Sequence, residues 1–204
     1  METGWLLVTV STAGAPASLR VHVWRRLRSL GALYLQQSVC LLPASDTTVR
    51  AVRRLADRVR RDGGQARVLQ LALTDPGEEA AVIEQFRQER AGEYAEVLER
   101  IRSLLAELDQ ERARGRVTYA EVEESEADLE RFRSWLDRIQ ARDYFDAPGR
   151  TEAEAAVERC AAALAAFEAE ALAAEAPDPS ASPQAALPAS RRAATPAAGG
   201  QRGS

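Results

Sequence analysis

The stretch "HVWRRLRSLGALYLQQSVCLLP", residues 22–43, changes periodicity halfway along, and that change decides the fold. Its first half continues a pattern that begins at Ala17: Leu19, Val23, Leu27 and Leu30 recur at helical spacing and so share one face. Gly31 stands where such a helix ends. The second half, "ALYLQQSVCLLP", reads as two short strands, Ala32 to Gln36 and Ser38 to Leu42, closed by Pro43. Upstream, "GWLLVTV" (Gly4 to Val10) is an apolar run rich in β-formers, followed by the turn-like "STAGAPAS". Downstream, Ser45 or Asp46 can cap a second helix with Val49, Val52, Leu55 and Val59 inward and Gly63 and Gly64 at its end. A last strand follows in "ARVLQLAL", Ala66 to Leu73. The order β-α-β-β-α-β predicts an α+β, ferredoxin-like sandwich, with both helices over one face of a four-stranded antiparallel sheet.

Everything after "TDPGEE" reads as helix. Asp75 can cap, Pro76 can sit first, and Glu78 lies three residues on. Gly92 is expected to break or bend a first segment, Glu78 to Ala91. Beyond it Tyr94, Val97, Leu98, Ile101, Leu104, Leu105 and Leu108 form a stripe. Thr118 with Glu121, Ser125 with Asp128 and Thr151 with Glu154 read as capping boxes. They precede helices with Leu129, Phe132, Leu136 and Ile139, then Val157, Cys160, Leu164 and Phe167, on their apolar sides. Such helices with short connections pack as an antiparallel bundle. From Ala176 the composition turns to Ala, Pro, Ser and Gly without an apolar period, which reads as disorder. The expected organisation is a ferredoxin-like basic domain over 1–74, an acidic helical bundle over 75–175 and an Ala/Pro-rich tail over 176–204.

The net charge of −4 hides an asymmetry, and all 27 basic residues are arginine. Residues 1–74 carry 11 Arg against 4 acids, so +7; the remainder carries 16 Arg against 27 acids, so −11. Opposite signs in the two parts point to a polyanion-facing part and a part with another task. The bland alternatives are that the halves attract each other, or that arginine is simply abundant. The apolar run Trp5 to Val10 is too short for a membrane span and no basic segment precedes it, so a cytoplasmic protein with no membrane contact is expected. Two cysteines, Cys40 and Cys160, without CxxC spacing and a single histidine, His22, argue against disulfides, a Cys/His metal site or a cofactor. With one histidine, already placed on a helix, no Ser-His-Asp constellation forms, and no enzymatic activity is expected.

The two basic helices are the main functional signal. The first places Arg25 and Arg28 on its solvent side and Arg26 and His22 beside its stripe. The second places Arg50, Arg53, Arg54, Arg58 and Arg61 outside its own. Two helices side by side present one arginine surface, and six to ten arginine–phosphate contacts shift affinity by about three to five powers of ten between low and moderate salt. The competing reading is a solvated helix face. Trp24 next to Arg25 is expected to pack at the edge of the core, with insertion at a base step as the sharper alternative. Cys40 is read as buried and inert, and "YFDAP" (Tyr144 to Pro148) as packing at a hinge between helices.

The segments "WLLVTVS", "VWRRLRSLGALYLQQSVCLLP", "RRDGGQARV" and "EESEADLERFRSWLDRIQARDYFDAP", followed by a long alanine-rich helix, together resemble the N-terminal domain of the bacterial chromate-resistance regulatory proteins of the ChrB type. The resemblance covers roughly residues 4–175. It implies chromate-responsive transcriptional control, with DNA binding in this part. Full-length members carry a second domain linked to chromate sensing or reduction. Here that position holds "APDPSASPQAALPASRRAATPAAGGQRGS", so the resemblance leaves two expectations: a separate chromate-sensing domain or protein as partner, or a protein that works without one. The sandwich also looks like the middle domain of phenylacetate-type repressors and like small CRISPR-associated nucleases. The nucleases' strand-end aspartate is replaced here by Ser11 and Thr12, which argues against nuclease activity.

A DNA-binding regulator acting through Arg25, Arg26, Arg28, Arg50, Arg53, Arg54, Arg58 and Arg61 is the leading expectation. A homodimer is expected from exposed strand edges and an uncovered sheet face. The rivals are a non-DNA-binding module that recruits a partner through its helices, and a chromate-sensing or chromate-reducing protein.

Overall fold

The computed structural model describes residues 4–175; the expected tail lies outside the described residues. The strands are β1 (Trp5–Ser11), β2 (Leu33–Gln36), β3 (Val39–Pro43) and β4 (Gln65–Leu71). The helices are α1 (Ala17–Ser29), α2 (Asp46–Arg61), α3 (Pro76–Ala113), α4 (Tyr119–Gln140) and α5 (Arg150–Glu175). The protein is α+β: one antiparallel sheet in the order β2-β3-β1-β4, and five helices among the described residues. Central β1 pairs with both β3 and β4, so Val8 lies opposite Cys40 on one side and Val68 on the other.

Alternation along the strands gives the sheet two apolar faces. On the front, Leu6, Val8, Cys40 and Leu42 meet Leu19, Val23 and Leu27 of α1 and Val52, Leu55 and Val59 of α2 in one core. These are the expected stripes of both helices. Ser45 caps α2 by accepting from the Thr48 amide at 3.2 Å, and the Thr48 hydroxyl accepts from the Ser45 amide at 2.9 Å. Helix α1 ends as expected at Gly31, whose φ of +68° suits a residue without Cβ. There the Gly31 and Ala32 amides donate to the Arg28 and Leu27 carbonyls at 3.0 and 3.1 Å, closing the helix end.

The back face is not the uncovered surface expected from the sequence. Trp5, Leu33 and Leu41 are buried beneath Phe86 of α3, with Tyr144 and Phe145 from the α4–α5 connection packed alongside. Ring centroids lie 5.9 Å apart for Trp5 and Phe86 and 5.4 Å apart for Phe86 and Phe145, within the range of favourable aromatic pairs. The Trp5 indole N–H donates to Glu79 at 3.0 Å, so the buried ring keeps its polar handle satisfied. These partners come from segments far apart in the chain, and no local pattern announces them. At the far end of this face Leu35 and Leu69 stay exposed.

Helices α3, α4 and α5 share a second core, with Tyr94, Val97, Ile101, Leu129, Leu136, Ile139, Val157, Cys160 and Leu164 among its buried members. Three local expectations are corrected. Gly92 does not break the helix, because α3 is continuous through it; buried Arg90 and Tyr94 on either side hold the helix against its neighbours at a cost of about 1 kcal/mol for glycine. Ser125 caps nothing: α4 starts at Thr118, which accepts from the Glu121 amide, and Ser125 is buried in mid-helix. Thr151 lies inside α5, which begins one residue earlier, and Glu154 instead accepts from Gln140 and Arg150 at 2.8 and 3.1 Å. An S/T-x-x-E/D pattern fits a helix interior as readily as a start, and tertiary contacts decide between them.

Among the described residues, no helix is long and apolar enough to cross a membrane.

Candidate functional site

All eight arginines singled out on α1 and α2 are exposed: Arg25, Arg26 and Arg28 on the first, Arg50, Arg53, Arg54, Arg58 and Arg61 on the second. The burial of Val23, Leu27, Val52, Leu55 and Val59 against the sheet turns the arginines out. Among the described residues only Arg58 of the eight has an acidic ion-pair partner, Asp62 at 3.4 Å on its own helix end. Arg60 serves the fold instead, holding Asp57 and donating twice to the Ala66 carbonyl at 3.2 and 3.0 Å.

Where acids of the later helices form ion pairs, they do so with arginines of that same region. Arg102 pairs with Glu99, Arg114 with Glu111, Arg112 with Asp109 and Glu170, and Arg150 with Glu154. Among the described residues no ion pair joins an acid of the later helices to an arginine of α1 or α2.

Trp24 departs from its expected packing role. It is 48% exposed, with the Arg28 guanidinium over its ring at 5.2 Å from the centroid, a cation–π contact. The reason lies in helix geometry: Trp24 follows Val23 around the helix, away from the sheet, toward a gap between α1 and the later helices. That gap is a groove of about 840 Å³. Its arginines are Arg25 and Arg28 from α1, Arg100 from α3, Arg131 and Arg138 from α4, and Arg142 just beyond it. Glu96 and Asp128 are the acids, so six positive groups face two negative ones, a formal +4. Trp24, Phe132 and Trp135 supply aromatic edges. Asp128 is already paired with Arg131, and Arg142 pairs with Glu93 at 3.0 Å.

The sequence carried a signal for this groove. Asp128, Arg131, Trp135 and Arg138 recur at spacings of three and four on the side of α4 away from Leu129 and Leu136, with Phe132 beside that stripe and Arg142 just beyond the helix. The acidic total of the region obscured it.

The joint that sets the groove's width is built on the end of α1. The Tyr144 hydroxyl donates to the Leu30 carbonyl at 2.7 Å, and Arg142 donates to the Arg28 carbonyl at 3.3 Å. Both meet the negative end of the helix dipole. Arg90, only 5% exposed, pairs there with Glu89 and Glu93 at 3.0 and 3.2 Å. Burial pulls the Arg142 guanidinium below its ordinary value, against the opposing pull of Glu93. Burial likewise pushes the Tyr144 hydroxyl up, with Arg90 and Arg142 opposing.

The cysteines are buried free thiols, as expected for Cys40. Burial pushes the Cys40 thiol up to about 12 and raises that of Cys160 as well, so neither supplies a reactive thiolate near neutral pH. Among the described residues no three of His, Cys, Asp and Glu are grouped to hold a metal ion.

Fold and surface thus define an α+β protein whose layer of exposed arginines borders a cationic groove with aromatic edges. The chain belongs to the family described as "Protein ChrB, N-terminal", whose model matches residues 20–177. It is also similar to Protein ChrB of Cupriavidus metallidurans, 31% identical over 112 residues. That alignment covers 53% of this chain and 34% of the relative. The family match begins after β1, so the "WLLVTVS" segment lies outside it. No solved structure gives a significant match.

Proposed function

We propose that this protein is a non-enzymatic, DNA-binding regulator of chromate resistance, in which the arginines of α1 and α2 engage the phosphate backbone. The observation that carries this reading is the uncovered state of the eight arginines: seven have no acidic partner among the described residues. An arginine surface that served internal pairing would form ion pairs with the acids of α3 to α5, and among the described residues none of those acids pairs with an arginine of α1 or α2. The chromate-resistance context rests on family membership. The strand order β2-β3-β1-β4 with both helices on the front supports a ferredoxin-like sandwich, and the shared core of α3 to α5 supports a helical bundle. With the back of the sheet largely covered, the β2 and β4 edges are the route by which two copies would pair.

Gel-shift titration on a duplex of the protein's own upstream region, at two salt concentrations, tests the reading. Binding at low salt that weakens steeply at higher salt, and weakens further in an Arg53→Glu/Arg54→Glu variant, is expected. Absence of binding at low salt, or equal affinity of the variant, would sink it.

A further inference from the structure

We infer that the nucleic-acid path does not end on the α1–α2 layer but continues over α1 into the groove, where Arg100 and Arg138 are backbone-phosphate contacts and Trp24 is a stacking surface. The inference rests on the DNA-binding reading and adds a second, separable contact region.

Three features of the groove carry it. First, Arg25 and Arg28 belong both to the outer arginine layer and to the groove wall, so positive surface runs without interruption from one to the other. Second, the groove's acids are not spread evenly. Asp128 is taken by Arg131, which leaves Glu96 as the one groove acid without an ion pair, while Arg25, Arg28, Arg100 and Arg138 have no acidic ion-pair partner among the described residues. Four guanidinium groups without an ion-pair partner line one groove, where like charges disfavour one another and an anion laid between them is favoured. Third, Trp24 is half exposed at the groove's rim, with Arg28 already stacked over it. A cation track beside an aromatic face holds a duplex's sugar-phosphate backbone while a deoxyribose, or the base of an opened step, meets the ring. An acidic peptide would use the same arginines but has no use for the aromatic rim, which is why nucleic acid is the occupant argued for.

The test uses matched pairs of substitutions on the full chain. Arg100→Gln/Arg138→Gln removes two groove charges, one from α3 and one from α4. Arg102→Gln/Arg133→Gln removes two charges from the same helices outside the groove. All four side chains are exposed, so thermal melts are expected to stay near the parent's. Affinity for the same upstream duplex is measured across a salt series. The groove pair is expected to lower the slope of log affinity against log salt by about 1.8, the loss of two phosphate contacts, and the outside pair to leave it unchanged. Separately, the duplex is expected to quench tryptophan emission, and Trp24→Phe to reduce that quenching, the remainder coming from Trp135 in the same groove.

Equal slopes for the two pairs, or quenching that Trp24→Phe leaves unchanged, would overturn the groove contact. If those results come with binding that still depends on Arg53 and Arg54, the groove alone falls and the α1–α2 reading stands. Absence of any duplex binding by the parent removes both. Loss of an acidic peptide's binding, polyglutamate being the probe, without loss of duplex binding in the groove pair would reassign the groove to an acidic protein partner.

Discussion

The two faces of the sheet are closed in different ways. The front is sealed by α1 and α2, whose apolar stripes follow within fifty residues of β1 and recur at the spacing of a helix. The back is sealed by four aromatic rings drawn from three places, Trp5 on β1, Phe86 on α3 and Tyr144 with Phe145 before α5. A face closed by neighbouring elements is written in local periodicity. A face closed by remote ones depends on how later helices dock, and it is this docking that also creates the cationic groove.

The largest test of that contrast is truncation at the back. Phe86→Ala is expected to cost about 3–5 kcal/mol in denaturant unfolding and to alter the near-ultraviolet dichroism of Trp5. Leu55→Ala, on the front, is expected to destabilise while leaving the Trp5 signal intact. A loss below about 1 kcal/mol at Phe86 would mean that the back is not a packed core.

Next in size is the joint at the end of α1. Gly31 and Gly63 both have positive φ, at +68° and +86°, and both end front helices. A Cβ at Gly63 meets open space, whereas one at Gly31 would lie 2.9 Å from both Arg142 Cβ and Arg90 Nη1. Gly63→Ala is therefore expected to cost about 1–2 kcal/mol for the left-handed backbone alone. Gly31→Ala is expected to cost more and, by pushing Arg142 aside, to weaken duplex binding as well. Equal costs at the two glycines would show that α1 is not clamped by the later helices.

A smaller effect is expected at Tyr144→Phe, which deletes the hydroxyl donor to the Leu30 carbonyl and keeps the ring. Its unfolding free energy is expected to fall by about 1 kcal/mol. The smallest change has the opposite sign. Gly92→Ala adds a Cβ in open space within α3 and is expected to stabilise by about 0.5–1 kcal/mol. Destabilisation there would restore the expected helix break.

What was legible before the structure follows from range of interaction. The stripes Leu19, Val23, Leu27 and Val52, Leu55, Val59 could be read because residues three and four apart must share a face, and their arginines followed as the opposite side. The caps at Ser45, Asp75 and Thr118 were readable for the same local reason. Ser125 and Thr151 carried equivalent patterns and cap nothing, because neighbours from other helices outweigh about 1 kcal/mol of capping. Trp24 was misplaced because a position beside a stripe is buried only if something packs over it. There, the neighbouring helices stop short and leave a groove.

The sequence by itself determined which residues form α1, α2 and the four strands, and which arginines those helices turn outward, since side-chain periodicity and turn chemistry act over a few residues. Only the tertiary structure decided that Phe86 and Phe145 would cover Trp5, and that Arg100, Arg131, Arg138 and Arg142 would face Arg25 and Arg28. Those juxtapositions depend on contacts such as Tyr144 to Leu30, made across 114 residues of chain, where no local pattern carries the information.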